Sequence, residues 1–328
     1  MIMSKNIIIT GGAGFIGSHT CKILKQKGYN PIVVDNLSSG SCALVKFGDF
    51  IECDISNSQK MREVFQKYKP LAVMNFAGFK NNSESLVKPF EYYENNFIAT
   101  NILLKCMIDE GVKNFIFSSS AAIFGTPQNP KNLIDESAPK APATPYGKSK
   151  LMVEEVLQDY DSAYGLKSTS LRYFNACGAD AQGEIGEILG SKNIFPSIFA
   201  AIKNKTPFTI CGTDYATKDG TCIRDYIHVM DLANAHVLAL EKQIEIKKSA
   251  QINLGNGEGF SVKEIADLVK KITKQNFEIA FGDRRAGDPA KLVADATFAK
   301  NYLNWNIKYP NIEDAILHSW KFLSLISR

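Results

Sequence analysis

The run Thr10-Gly11-Gly12-Ala13-Gly14-Phe15-Ile16-Gly17 follows a β-branched stretch, Asn6 to Thr10, and leads into a segment of helical period. Glycine permits a tight turn here and lets the backbone come close to a pyrophosphate, whose charge then sits on the amides and positive end of the following helix. A bare triad at 11, 14 and 17 also fits a Gly-rich turn that binds nothing. Two companions narrow the choice. The triad has the strand-turn-helix setting, and the next strand candidate, Pro31 to Asp35, ends on a carboxylate where an adenosine ribose would be held. Asn36 follows, with no Arg nearby to pair a 2′-phosphate, so NAD is expected rather than NADP. No Gly-Lys-Ser or Gly-Lys-Thr follows the glycines, which disfavours a phosphate-loop NTP site.

Short β-branched or aromatic runs alternate with longer segments of helical period through the first half. Strands are expected at 6–10, 31–35, 50–53, 71–75, 114–118 and 168–172, and helices at 18–27, 58–68, 90–110 and 147–164, with Gly28 and Gly111 as left-handed caps. This predicts an α/β fold: a Rossmann-type doubly wound parallel sheet. After Arg172 the pattern loosens. Residues 175–194 read as a long functional loop, followed by helices at 195–204, 229–241 and 261–272 and a strand at 251–254. A chain of 328 residues suits about two domains. The expected division is 1–174 for the dinucleotide and 175–328 for a smaller mixed α/β substrate domain, with the 229–241 helix packing back on the first.

Composition closes off other classes. The chain is 45% hydrophobic and 22% charged with a net charge of +4, and no block of like charges offers a nucleic-acid surface. The apolar runs are too short for a membrane span, and no signal segment is expected at the start. Seven scattered Cys without a CxxC pair, and four His without HExxH, predict a reducing cytoplasm and no metal site. Arginine occurs only at 62, 172, 224, 284, 285 and 328, so an Arg in a special context is expected to use its planar fork on phosphate or carboxylate.

A second chemical signal is Tyr146-Gly-Lys-Ser-Lys150, whose spacing of four puts Tyr146 and Lys150 on one helix face. In a Lys-rich chain such a pair also arises by chance on a solvated face. Its companion is Ser118-Ser119-Ser120 at the carboxyl end of the fifth strand, the sheet edge where ligands bind. A nearby ammonium and a nicotinamide cation both favour phenolate. Tyr146 is then the candidate base on a substrate hydroxyl, with Lys150 beside it and Ser120 sharing the proton.

These residues, together with Asp54-Ile55, Phe76-Ala77-Gly78 and Arg172-Tyr173-Phe174-Asn175, resemble the extended short-chain dehydrogenase/reductase family. The strings at 76–80, 89–96, 112–120, 219–231 and 284–288 are similar to its UDP-glucose 4-epimerase branch, and the likeness runs from Lys5 to Trp320. Residue spacing by itself supports only hydride transfer. The resemblance implies NAD held through turnover, a transient 4-keto sugar, and interconversion of UDP-glucose and UDP-galactose. It implies cofactor contacts from Gly11, Gly14, Phe15, Ile16, Gly17, Asp35, Asn36, Asp54, Ile55, Phe76, Ala77, Gly78, Lys80, Asn95, Tyr146, Lys150 and Phe174. It implies substrate contacts from Lys80, Ser120, Tyr146, Asn175, Asn193, Arg224, Arg285, Asp288 and Leu292. It also implies a homodimer through two helices of the first domain.

The chain departs from that pattern in three places, one of them a run of three residues. Asn81-Asn82-Ser83 stand where small apolar residues are common; of two readings, altered hydrogen bonding beside the sugar or surface variation, the second is expected. Phe124 replaces the usual Tyr, and Leu292, intermediate in size at the position that gates sugar size, leaves N-acetylhexosamine use open. Two rival readings are a nucleotide-sugar dehydratase or decarboxylase and a non-catalytic NAD sensor. A 4,6-dehydratase of this superfamily is expected to carry an acidic pair after the residue at 120, whereas Ala121-Ala122 follow Ser120 here, and a sensor has no need of Tyr146 or Lys150. His228 is expected to orient a loop, Cys177 to be a packing residue, and the aromatics of 90–107 to form a core or dimer stripe.

Overall fold

The computed structural model describes residues 4–127, 133–285 and 287–326. In chain order the elements are β1 (Asn6–Thr10), α1 (Phe15–Gln26), β2 (Asn30–Asp35), β3 (Asp49–Glu52), α2 (Ser58–Tyr68), β4 (Ala72–Asn75), α3 (Asn82–Val87), α4 (Pro89–Tyr93), α5 (Ala99–Asp109), β5 (Asn114–Ser120), α6 (Pro145–Tyr164) and β6 (Lys167–Tyr173). There follow β7 (Asn175–Cys177), α7 (Ile194–Asn204), β8 (Phe208–Cys211), β9 (Ile223–His228), α8 (Val229–Ile246), β10 (Ala250–Leu254), β11 (Gly259–Ser261), α9 (Val262–Thr273), β12 (Ile279–Gly282), β13 (Lys291–Leu292), α10 (Thr297–Leu303) and α11 (Ile312–Ile326). Among the described residues, no helix is long and apolar enough to cross a membrane.

The chain divides into two compact units. Met1–Ile123, Pro142–Arg172 and Ala233–Ile252 form one; Phe124–Ala141, Tyr173–Leu232 and Asn253–Arg328 form the other. A single cut near residue 175 does not describe this division, because the chain visits the second unit at Phe124–Ala141 and returns to the first at Ala233–Ile252. The return brings in β10, which lies at the edge of the first unit's sheet beside β6.

That sheet has seven strands in the order β10-β6-β5-β4-β1-β2-β3. The ladders β1–β2, β1–β4, β2–β3 and β4–β5 all run parallel. Ile7, Ile8, Ile9, Val33 and Val34 are buried, as a sheet covered on both faces requires. One core cluster joins Ile8, Val34 and Phe115 of the strands to Met61, Phe65, Leu103, Met107, Val153 and Leu157 of α2, α5 and α6. Strand order reverses at β1, with β2 on one side and β4 on the other, so a crevice lies beyond their carboxyl ends. The two expected caps adopt left-handed backbone, φ +81° at Gly28 and +73° at Gly111.

The single helix expected over 90–110 is interrupted. Between α4 and α5 the residues Glu94–Ile98 form a π-helical turn, whose extra residue shifts the helix face and buries Asn96.

In the second unit β9 pairs with β11 antiparallel and with β7 and β13 in parallel, while β8 pairs with β12. The residues read as the start of a loop after Arg172 are β7. Strand β9 was not legible as a strand because Arg224, Asp225 and His228 are buried in it, and its neighbours are only two or three residues long. A capping box of Ser261 and Glu264 starts α9.

Candidate active site

The glycine turn is built around contacts that a side chain would block. At Gly11 (φ +68°) a Cβ would stand 2.5 Å from the Ala77 amide nitrogen, and at Gly17 it would stand 2.5 Å from the Gly11 carbonyl. The turn therefore packs directly on Phe76-Ala77 across the point where strand order reverses. Gly14 is the N-cap of α1 and offers no side-chain cap, which leaves the first amides of that helix for an anion. Asp35, buried at the end of β2, accepts from the Ala13 amide (3.0 Å) and the Leu37 amide (2.8 Å). Burial raises its pKa against the pull of those two amides. Beside it, exposed Asn36 donates to Asp54 (2.7 Å). The Gly-lined approach, the uncapped helix start and the carboxylate match what a dinucleotide's pyrophosphate and ribose require, so these residues fit NAD.

Phe76 to Gly78 continue from β4, held by Phe76 N–H to Thr10 (2.8 Å) and Ala77 N–H to Asn75 (3.2 Å). A Cβ at Gly78 would come within 3.1 Å of Asn96 Oδ1 and 3.5 Å of Lys150 Nζ, which places this segment beside the Tyr146 helix. The buried Asn96 accepts from the Phe79 amide (2.7 Å) and donates to the Phe79 carbonyl (2.9 Å) and Ser149 Oγ (3.2 Å). Sequence reasoning named Asn95, which is half-buried, and missed Asn96 as the residue clamping this loop. The π turn that rotates Asn96 inward has no periodic signature. Phe15 and Ile16 are half-buried at the start of α1, and Lys80 is exposed. The Ile55 side chain is buried in the core cluster.

Tyr146 and Lys150 lie in α6, which Thr144 caps by accepting from the Gly147 amide (3.2 Å), with Pro145 in the first turn. Both side chains are buried. Tyr146 shares a side-chain hydrogen bond with Ser120, whose Oγ also accepts from the Ala122 amide (3.2 Å). Lys150 donates to the Ser118 carbonyl (2.8 Å) and lies over the Phe117 ring. Burial pushes Lys150 down to about 8. Burial also raises the Tyr146 phenol above its ordinary value, outweighing the Ser120 bond. This is opposite to the direction expected from an adjacent ammonium, because desolvation dominates both groups.

The expected surface variation at Asn81-Asn82-Ser83 has a structural role instead. Asn81 caps α3 through the Glu84 amide (3.1 Å), and Asn82 accepts from Thr144 Oγ1 (2.8 Å), linking that helix to the cap of α6.

In the second unit, Arg224 on β9 is ion-paired with Asp288 and donates to the Ile223 carbonyl (2.7 Å). Leu292 on β13 is in register with Arg224. Exposed Arg285 accepts, through its carbonyl, from the Asp288 amide (3.3 Å). Asn193 precedes α7 and donates to Glu187 (2.7 Å); Asn175, exposed, is in register with Tyr226; and the Phe174 amide donates to the Leu254 carbonyl (3.4 Å). Next to Arg224, Asp225 accepts from the amides of Asn256, Gly257 and Ala294 (2.8–3.1 Å), and burial pushes it up to about 6 despite them. Tyr215 was not singled out from sequence, yet the Arg284 guanidinium lies 4.2 Å from its ring centre. His228 packs on Tyr309 and accepts from the Met230 amide (3.1 Å), and burial pushes the Cys177 thiol up, leaving it unreactive.

Residues 7–255 match the model of the NAD dependent epimerase/dehydratase family. A UDP-glucose 4-epimerase of Rhizobium meliloti (strain 1021) is 44% identical over 310 residues, 94% of each chain. The structure of UDP-glucose 4-epimerase from Brucella ovis in complex with NAD superposes with a TM-score of 0.92 at 43% identity, over 97% of this chain and 98% of that one. The corresponding enzyme from Bifidobacterium longum, in complex with NAD+ and UDP, gives a TM-score of 0.91 at 36% identity over 98% of each chain. A likeness that covers both units at this identity reaches well beyond the glycine turn, and the chain belongs to the NAD dependent epimerase/dehydratase family.

Proposed function

We propose that this chain is an NAD-dependent UDP-glucose 4-epimerase that interconverts UDP-glucose and UDP-galactose, with Tyr146 as the base. The observation that carries the reading is the arrangement of Tyr146, Ser120 and Lys150 at the carboxyl end of β5. Gly11, Gly14, Gly17 and the start of α1 hold the pyrophosphate of NAD, and Asp35 with Asn36 holds its adenosine ribose. When bound, NAD supplies a hydride acceptor and a positively charged ring. Tyr146 removes the proton of the sugar 4′-hydroxyl and returns it in the reverse direction, with Ser120 sharing it. Burial holds the proton on the Tyr146 phenol, and a positive charge bound beside it would favour the phenolate. Lys150, one helical turn from Tyr146, is held by the Ser118 carbonyl. In the second unit Arg224 and Arg285 bind the diphosphate, and Asp288, Asn175 and Asn193 the remaining polar groups of the nucleotide.

The apolar side chains Leu86, Val87, Phe90 and Ile98 are exposed in the first unit, Val87 at 78% and Phe90 at 68%. Phe97, Ile98 and Ile102 line one surface groove of that unit, and Tyr93, Leu151 and Met152 line another. A second copy of the chain on the outer faces of α5 and α6 covers the two grooves, giving a homodimer.

The deciding experiment is conversion of UDP-galactose to UDP-glucose by the purified protein and its Tyr146→Phe variant. Turnover that needs Tyr146 while NAD and UDP binding persist supports the reading. Absence of turnover with both proteins favours a sensor. A parallel assay with UDP-N-acetylgalactosamine reads the gate at Leu292.

A further inference from the structure

Tyr146, Lys150 and Glu154 follow one another at intervals of four along α6, and three consecutive residues at the end of β5 hold them. Ser120 bonds Tyr146, the Ser118 carbonyl takes Lys150 Nζ (2.8 Å), and Ser119 Oγ donates to Glu154 Oε1 (2.6 Å). The third rung differs from the others in being a buried ion pair. Arg172 on β6 donates through Nε to both oxygens of Glu154 (2.9 and 3.2 Å) and through Nη2 to Oε2 (2.6 Å), and Nη2 also reaches Gln251 of β10 (3.2 Å). Both side chains are wholly inaccessible to solvent. All of these residues belong to the first unit.

A buried pair of this kind adds little stability over well-packed apolar side chains, because desolvation offsets its attraction. Its geometry, however, is exacting. The forked guanidinium fixes the carboxylate in position and orientation, and through it the rotation and axial position of α6 against β5. Slippage by a single residue would move Tyr146 by about 1.5 Å along the helix axis. Displacement on that scale at a reacting group lowers rate by up to about a hundredfold.

We propose that Glu154, locked by Arg172 and tied to β5 by Ser119, is a positioning residue that sets the register of α6 and so aims Tyr146 and Lys150. The inference rests on the reading of Tyr146 as the base. Glu154 acts through Ser119 and the helix and does not touch substrate.

Two variants test it in the UDP-galactose assay on the full-length protein with its bound NAD. Ser119→Ala keeps the ion pair and removes its tie to β5. Glu154→Met/Arg172→Met replaces the pair with apolar side chains. The expected result is a kcat about tenfold lower in each, with KM for UDP-galactose and NAD content within about twofold of wild type and the melting temperature of the double variant unchanged or raised. A kcat within twofold of wild type in Ser119→Ala overturns the proposal, and that variant alone decides if the double variant does not fold. Tyr146→Phe is run alongside. If it retains turnover, the base reading fails and the inference with it; if it alone is inactive, only the positioning role is overturned.

Discussion

The two units hold the charged groups of their candidate residues in opposite ways. Around Tyr146, the partners are neutral: a serine hydroxyl for the phenol, a backbone carbonyl and an aromatic face for the ammonium. Around Arg224 the partner is a carboxylate, Asp288, whose side chain keeps 28% exposure while that of Arg224 has 9%. Neutral partners leave a buried group's proton affinity governed by desolvation and sensitive to any charge that arrives, which suits acid–base chemistry. An ion pair with one accessible member can exchange its carboxylate for a phosphate, which suits binding.

Substitutions that separate these two behaviours break the comparison or sharpen it. Tyr146→Phe should lower kcat by about 10²-fold or more, with UDP affinity measured by calorimetry unchanged. Arg224→Met should do the reverse, weakening UDP binding by about 10- to 100-fold with kcat at saturating sugar nearly intact. If Arg224→Met strikes kcat instead, the division into a reacting unit and a holding unit is wrong.

Asp225 tests whether the strand beneath Arg224 is a scaffold. Asp225→Ala leaves three inward amides without their acceptor and should destabilise the protein by about 3 kcal/mol in denaturant unfolding. The wild-type carboxyl has a folded pKa of about 6, raised above its ordinary value by burial. Its titration therefore favours the fold at low pH, and that contribution is lost as pH rises through about 6. The destabilisation by Asp225→Ala should accordingly be larger at about pH 4 than at about pH 8, within the range where the protein stays folded. The smallest effect is expected at Asn81, where removing the α3 cap by Asn81→Ala should lower stability by about 1 kcal/mol with KM unchanged. A large change in sugar KM there would return Asn81 to the substrate.

The first unit was legible because its strands are apolar and its helices periodic: Ile7 to Ile9 and Ile32 to Val34 read directly as buried parallel strands. In the second unit the helices α7 and α9 were legible and the strands were not. Its central strand β9 buries Arg224, Asp225 and His228, so hydropathy hides it, and β11 and β13 draw their definition from pairing with β9. The same division runs through the site. Tyr146 and Lys150 were found by helical spacing, whereas Asn96 depends on a π turn and Asn82 on a distant cap.

The sequence alone determined the glycine turn, the α/β alternation, the Tyr146–Lys150 spacing and the rarity of arginine, because each depends on neighbours within a few residues. Tertiary structure decided which way the phenol's pKa moves, which carboxylate meets Arg224, and that Glu154 and Arg172 meet at all. These follow from burial and from partners 64 and 18 positions apart in the chain, and desolvation is a property of everything packed around a group rather than of the residues beside it.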